Sequence, residues 1–183
     1  MNLDLMIIDN FYINPDAVRA FALTQDFGVT GNYPGKRTPS FLTQDVKDCI
    51  QHWMNPVGKI SNWHEDSGYT GAFQYATASD RTWIHCDHTS TWAGVCYLSP
   101  DAPYTAGTAM YRHKETGEYR APTNEHEAYD YTKWDRIDVV GNKYNRLILY
   151  SGDLFHASLD YFGKDLYDGR LFQTFFFDTE HAQ

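Results

Sequence analysis

Four residues in this chain have the types and spacing to do chemistry together. His85 and Asp87 form a His-x-Asp pair, His156 follows Asp87 by 69 residues, and Arg170 lies 14 residues beyond His156. Strand side chains alternate faces with a period of two, so a His-x-Asp pair on a strand projects its imidazole and carboxylate to one side. A distant histidine brought alongside completes two imidazoles and one carboxylate. That donor set suits non-haem Fe(II) and keeps positions open for a co-substrate and O2. Arg170 opens a long apolar run, Leu171 to Phe177, and offers a planar cation that matches a carboxylate. The plain alternative for Arg170 is a salt bridge to Asp160, Asp165 or Asp168, all near it in sequence.

The neighbours of these four sort by the same alternation. Cys86 points away from the Asp87 side, and His88, three residues after His85, falls on the other face. Thr174 shares a face with Arg170, Phe172 and Phe176 and is a candidate to add a hydroxyl to the site. Trp83 and Trp92 flank the motif as packing residues near a substrate mouth. His52, His64, His113, His126 and His181 have no ligand spacing and read as surface residues.

The elements that must position these residues are short. Leu3 to Ile8 is an apolar strand. Asn14-Pro15 is a helix start, an Asn cap with Pro at the first helical position, and the helix runs to about Gln25 with Val18, Phe21 and Ala22 inward. A second helix is predicted over Thr43 to Met54 with Val46, Ile50 and Trp53 inward. Strands follow at Gly71 to Thr77, Arg81 to His85, Thr91 to Leu98, Thr108 to Arg112, Arg146 to Tyr150, Leu154 to Leu159 and Leu171 to Phe177, separated by turn residues. Residues 28–40 read as a long loop near the pocket. Residues 113–135 read as a polar, mobile insertion with a short helix from Asn124. Two helices ahead of seven or eight short strands give a mainly β (α+β) jelly roll with N-terminal supporting helices.

A chain of 183 residues fits one domain: helical support over 1–69 and a β core over 70–183 with the insertion at 113–135. Aromatics make up 16% of the residues, 14 of them Tyr, which suits a β-rich core around a pocket. The net charge of −9 and the lack of a Lys/Arg cluster argue against nucleic acid as partner. No apolar run approaches the ~20 residues of a spanning helix. The start MNLDLMIIDNFY lacks a basic region and is not a signal peptide. Three cysteines without disulfide or zinc spacing predict reduced thiols and a cytoplasmic setting.

The stretch from Gly71 to Asp178 resembles the Fe(II)/2-oxoglutarate-dependent dioxygenase superfamily, and within it the prolyl-hydroxylase-like branch. The likeness rests on Phe73-Gln74-Tyr75 ahead of the motif, His85-Cys86-Asp87, Val95 to Ser99, Gly107-Thr108, Arg146 through His156, and Arg170 to Phe177. The spacing from His156 to Arg170 is longer than in the best-known prolyl hydroxylases, and Cys86 is an unusual middle residue. The resemblance implies a double-stranded β-helix, Fe(II) on His85, Asp87 and His156, and 2-oxoglutarate with its distal carboxylate on Arg170. It also implies a hydroxyl from Tyr75 or Tyr97 to that co-substrate, with no catalytic side chain beyond the metal centre. The implied reaction uses O2, releases succinate and CO2, and oxidises a C–H bond of an amino-acid, peptidyl or small-metabolite substrate. The loops at 28–40 and 113–135 would shield it as lids. Two other readings stay open: a cupin-like metal protein indifferent to 2-oxoglutarate, and a non-catalytic jelly-roll binding module. The residues do not fix the oligomeric state.

Overall fold

A computed structural model describes residues 3–121 and 127–181. Among these described residues ten strands and two α-helices are formed: β1 (Leu5–Ile8), α1 (Pro15–Leu23), β2 (Lys36–Ser40), α2 (Gln44–Met54), β3 (Gly58–Asn62), β4 (Ala72–Ala76), β5 (Trp92–Tyr97), β6 (Thr108–His113), β7 (Trp134–Val140), β8 (Leu147–Ser151), β9 (His156–Ser158) and β10 (Arg170–His181). Both helices start where their caps predict. The Asn14 side chain accepts from Ala17 N–H and Pro15 follows it, while Thr43 accepts from Val46 N–H. Each cap satisfies an amide that has no partner within the helix.

The strands form two antiparallel sheets. The larger runs β1-β8-β5-β10-β4-β2, with β3 paired to the far end of β10, and the smaller runs β7-β6-β9. Alternation along the central strands makes two cores. Cys96, Leu98, Leu147, Leu149, Leu171, Phe175 and Phe177 face outward and are covered by Ala22, Ile50 and Met54 from the helices. Val95, Tyr97, Ile148, Tyr150 and Phe172 face inward and meet Met110, Val140 and Leu154 between the sheets. Each such side chain fully removed from water contributes about 1.5–3 kcal/mol, so the central strands are the rigid part of the scaffold. The architecture is the expected double-stranded β-helix.

Several expectations need correction. Arg81 to His85 is not a strand; the segment is irregular and touches the smaller sheet through one bridge, His85 to His156. Residues before 70 are more than helical support, because β1, β2 and β3 join the larger sheet. In α2 Ile50 and Met54 are buried and Val46 packs partly buried against the same core, while Trp53 is exposed. Phe21 stays half exposed yet packs edge-on against Phe41 and Phe73. The described parts of 113–135 are anchored: the stretch ends in β7, buried Trp134 donates from Nε1 to the Glu127 carbonyl, and His113 is buried against Glu127 at 2.6 Å. The helix predicted from Asn124 starts outside the described residues.

Candidate metal centre

His85 reaches the site from the irregular segment, Asp87 from the turn after it, and His156 from the start of β9. Reciprocal backbone hydrogen bonds tie the two histidines, His85 N to His156 O at 3.0 Å and His156 N to His85 O at 2.8 Å. Asp87 is held from the other side, its N–H donating to the Gly152 carbonyl at 2.6 Å. One ligand atom from each of the three residues lies within 4.8 Å of the others. The convergence that alternation predicts is therefore reached by a bridge and a turn rather than by a regular strand.

The imidazoles are oriented for coordination. Nδ1 of His85 lies 2.9 Å from the Trp83 carbonyl, and Nδ1 of His156 lies 3.0 Å from the Leu154 carbonyl. A carbonyl only accepts, so Nδ1 carries a proton in each ring and Nε2 is the nitrogen left facing the site. Nε2 of His156 lies 3.3 Å from Asp87 Oδ2 and 3.2 Å from the Tyr150 hydroxyl. Burial works to raise the Asp87 carboxyl, but His156, His85 and Arg37 outweigh it, and the group titrates below its ordinary value. Two imidazoles that present Nε2 and an ionised carboxylate at this spacing fit a divalent first-row ion with open positions.

Arg170 opens β10 and is fully buried. Its Nε donates to the Ala106 carbonyl at 3.1 Å and Nη2 to the Gly107 carbonyl at 3.3 Å. Nη1 is buried with no acceptor. None of Asp160, Asp165 and Asp168 pairs with it, and among the described residues it has no carboxylate partner. Its guanidinium sits 4.5 Å from the Phe172 ring centroid and 5.3 Å from that of Tyr97. A buried charge without a counter-charge is costly, so an acceptor at Nη1 would stabilise it.

A cavity of about 240 Å³ adjoins the three ligand residues, and Arg170 lies behind two residues of its wall, 4.5 Å from the Phe172 ring centroid and with Nη2 3.5 Å from Thr108 Oγ1. The cavity wall includes His85, Asp87, His156, Tyr150, Thr108, Phe172, Thr174 and Phe176, together with Tyr33, Arg37, Tyr69, Gln74, Trp83 and Tyr161. Tyr97 lies beside Arg170, its hydroxyl 2.8 Å from Thr108 Oγ1; burial raises its phenol while Arg170 partly offsets the rise. Thr174 is on the wall, but its hydroxyl is already committed to the Tyr69 carbonyl at 2.7 Å. Tyr75 faces away: it packs edge-on against Phe27 in the helix-side core. The reason is register, since Tyr75 pairs with outward-facing Leu171 and Gln74 with inward-facing Phe172. His88 is exposed, as expected for a non-ligand, and lies 3.5 Å from Cys86 Sγ. His64, expected as a bystander, lines the cavity and pairs with Asp178 at 2.7 Å. His126 lies outside the described residues. Of the two expected lids, 28–40 supplies cavity residues and the described part of 113–135 supplies none.

Sequence reasoning missed Arg37, Gln74 and Tyr150 as wall residues. Tyr150 carried a usable signal, because it lies an even step from Ile148 on a strand leading to His156.

The scaffold defines a class by fold, the double-stranded β-helix. Solved structures of the same fold include HygX from Streptomyces hygroscopicus, solved with nickel, 2-oxoglutarate and hygromycin B bound (12% identity, TM-score 0.63, covering 94% of this chain and 81% of that one). The non-heme alpha ketoglutarate dependent carbocyclase SnoK from nogalamycin biosynthesis is similar at 12% identity and TM-score 0.59, over 96% of this chain and 79% of that one. A Pseudomonas putida prolyl-4-hydroxylase is similar at 14% identity and TM-score 0.50, over 97% and 93%. No curated protein matches the sequence. Residues 2–133 match the family described as "Family of unknown function (DUF6445)", and the chain belongs to that family.

Proposed function

We propose that this protein is an Fe(II)- and 2-oxoglutarate-dependent oxygenase. The observation that carries the reading is the convergence of His85, Asp87 and His156 within 4.8 Å, with both imidazoles turned by backbone carbonyls to offer Nε2. Bound Fe(II) and 2-oxoglutarate supply the oxidising chemistry: O2 is consumed, succinate and CO2 leave, and a substrate C–H bond is oxidised. His85, Asp87 and His156 hold the ion and leave its remaining positions open. Arg170 takes the distal carboxylate of 2-oxoglutarate through Nη1, which resolves its uncompensated buried charge. Tyr97 and Thr108, linked to each other beside Arg170, supply hydroxyls to that end of the cavity. Val95, Phe172 and Phe176 keep the inner wall apolar and exclude water from the reacting centre.

The substrate is a small molecule or a peptide segment with an amino-acid-like C–H bond. HygX, solved with hygromycin B, and the prolyl hydroxylase of Trichoplax adhaerens, solved with a peptide fragment, support that breadth. Cys49, Cys86 and Cys96 form no disulfide among the described residues, which supports a reducing, cytoplasmic setting. Among the described residues no helix is long and apolar enough to cross a membrane. The test is succinate release. Iron-loaded protein with 2-oxoglutarate and O2, screened against amino acids, peptides and small metabolites, forms succinate; protein that forms none with any of them contradicts the assignment.

A further inference from the structure

Two strands from β10 in the larger sheet, a second buried guanidinium has no carboxylate partner among the described residues. Arg37 belongs to β2 and is 5% exposed. It lies between two tyrosine faces, 3.8 Å from the Tyr33 ring centroid and 4.7 Å from that of Tyr69. Its Nε donates to Gln74 Oε1 at 2.9 Å, and Nη2 donates to the same oxygen. Gln74 is fixed in turn, donating from Nε2 to the Pro34 carbonyl at 2.7 Å. Nη1 donates to nothing among the described residues and is not one of the buried atoms left without a partner, so it keeps access to the cavity that Arg37 lines. Burial pushes the Arg37 pKa down to about 10, with Tyr33, Tyr69 and Asp87 opposing the shift, so the group stays charged at neutral pH.

We infer that Arg37 anchors the substrate, and that the substrate carries a carboxylate. This rests on the oxygenase reading. In the loaded site, Asp87 and a 2-oxoglutarate dianion together offset a divalent ion and Arg170, so the charge of Arg37 is left over. One carboxylate on the substrate matches it, and the free edge of the guanidinium, Nη1 beside Nη2, presents two parallel N–H groups to such an anion. The partner that Arg37 does have is a neutral amide, which orients the fork without neutralising it. Tyr33, Tyr69 and Trp83 give the body of the acid apolar faces between the anchor and the metal ligands. The arrangement separates two roles: Arg170, behind Phe172, serves the co-substrate, and Arg37, two strands away on β2 and lining the cavity, serves the molecule to be oxidised.

The test uses full-length protein loaded with nickel and 2-oxoglutarate, without O2, so that binding is read without turnover. The probes are matched pairs: N-acetyl amino acids, linear monocarboxylic acids and aromatic acids, each against its primary amide, with affinity measured by calorimetry. We expect at least one acid to bind about tenfold or more tightly than its amide, as loss of a charge-assisted hydrogen bond implies. Arg37→Gln abolishes that preference. Gln74→Glu, which gives Arg37 an internal counter-charge while keeping its position, abolishes it as well. Both variants keep wild-type affinity for nickel and 2-oxoglutarate. An absence of any acid-over-amide preference in wild type overturns the inference, as does a preference that survives both substitutions. Loss of 2-oxoglutarate affinity in Arg37→Gln also overturns it, by making Arg37 the co-substrate anchor. Failure of wild type to take up nickel or 2-oxoglutarate refutes the oxygenase reading itself, and is distinguished by the same titrations.

Discussion

Arg170 is the residue where burial and charge disagree most, and the disagreement has a direction. Its Nη1 is buried without an acceptor while Nε and Nη2 are held by backbone carbonyls. Arg170→Ala therefore removes an anchor whose loss, for a buried charge pair, costs about 2–5 kcal/mol, or about thirtyfold or more in 2-oxoglutarate affinity. Metal affinity measured without 2-oxoglutarate changes little. Calorimetry of both ligands checks this, and unchanged 2-oxoglutarate affinity would assign Arg170 to structure alone. His85, Asp87, His156 and Arg170 were legible because their residue types and order lie open in the chain. Tyr75 was misread because an offset counted along the chain does not fix which face a residue occupies when an irregular segment intervenes. Arg37 was invisible because its setting depends on β2 pairing with β4, and its partner Gln74 lies 37 residues away.

At the scale of elements, the site depends on close backbone approaches. The turn between β8 and β9 brings Gly152 against Ser90 and Asp87. A Cβ there would lie 2.1 Å from the Ser90 carbonyl oxygen and 2.9 Å from that of Asp87. Gly152→Ala must therefore displace the turn that receives the Asp87 N–H. The expected result is a stability loss of about 1–3 kcal/mol and about tenfold weaker metal binding, as when a ligand's support is removed. Denaturant unfolding and metal titration check the two effects separately; intact metal affinity would mean that the turn does not position Asp87. Both helices were legible because Asn14-Pro15 and Thr43 are local signals. β7 was not, because Trp134 to Val140 mixes charge with exposed Ile137 and Val139, the pattern of a half-exposed edge strand rather than a core one. β2 was masked by its internal Pro39.

At the scale of the whole molecule, the N-terminal segment is fastened to the central sheet by charge as well as by β1. Asp9 pairs with Arg146 at 2.7 Å and with Lys143 at 2.7 Å, and those hydrogen bonds hold its carboxyl far below the usual 3.8. A depressed carboxyl stabilises the fold fully above its unfolded pKa; the contribution begins to fall below about 4 and is lost as pH drops through the depressed folded value. Asp9 is partly exposed, so solvent screening limits the effect: Asp9→Asn is less stable by about 1 kcal/mol or less at pH 7, and the gap closes on acidification. Thermal unfolding over a pH series from 7 to 2 reads this, and a gap that does not narrow at all over that range would contradict it. The central claim is that the β-helix holds one metal ion on His85, Asp87 and His156 and one 2-oxoglutarate beside it. Anaerobic titration of metal-free protein with Fe(II), then with 2-oxoglutarate, tests it most directly. The account predicts one ion per chain, one 2-oxoglutarate that binds only after the ion, and neither in His85→Ala. Wild type that binds neither, or His85→Ala that binds both as wild type does, would contradict it.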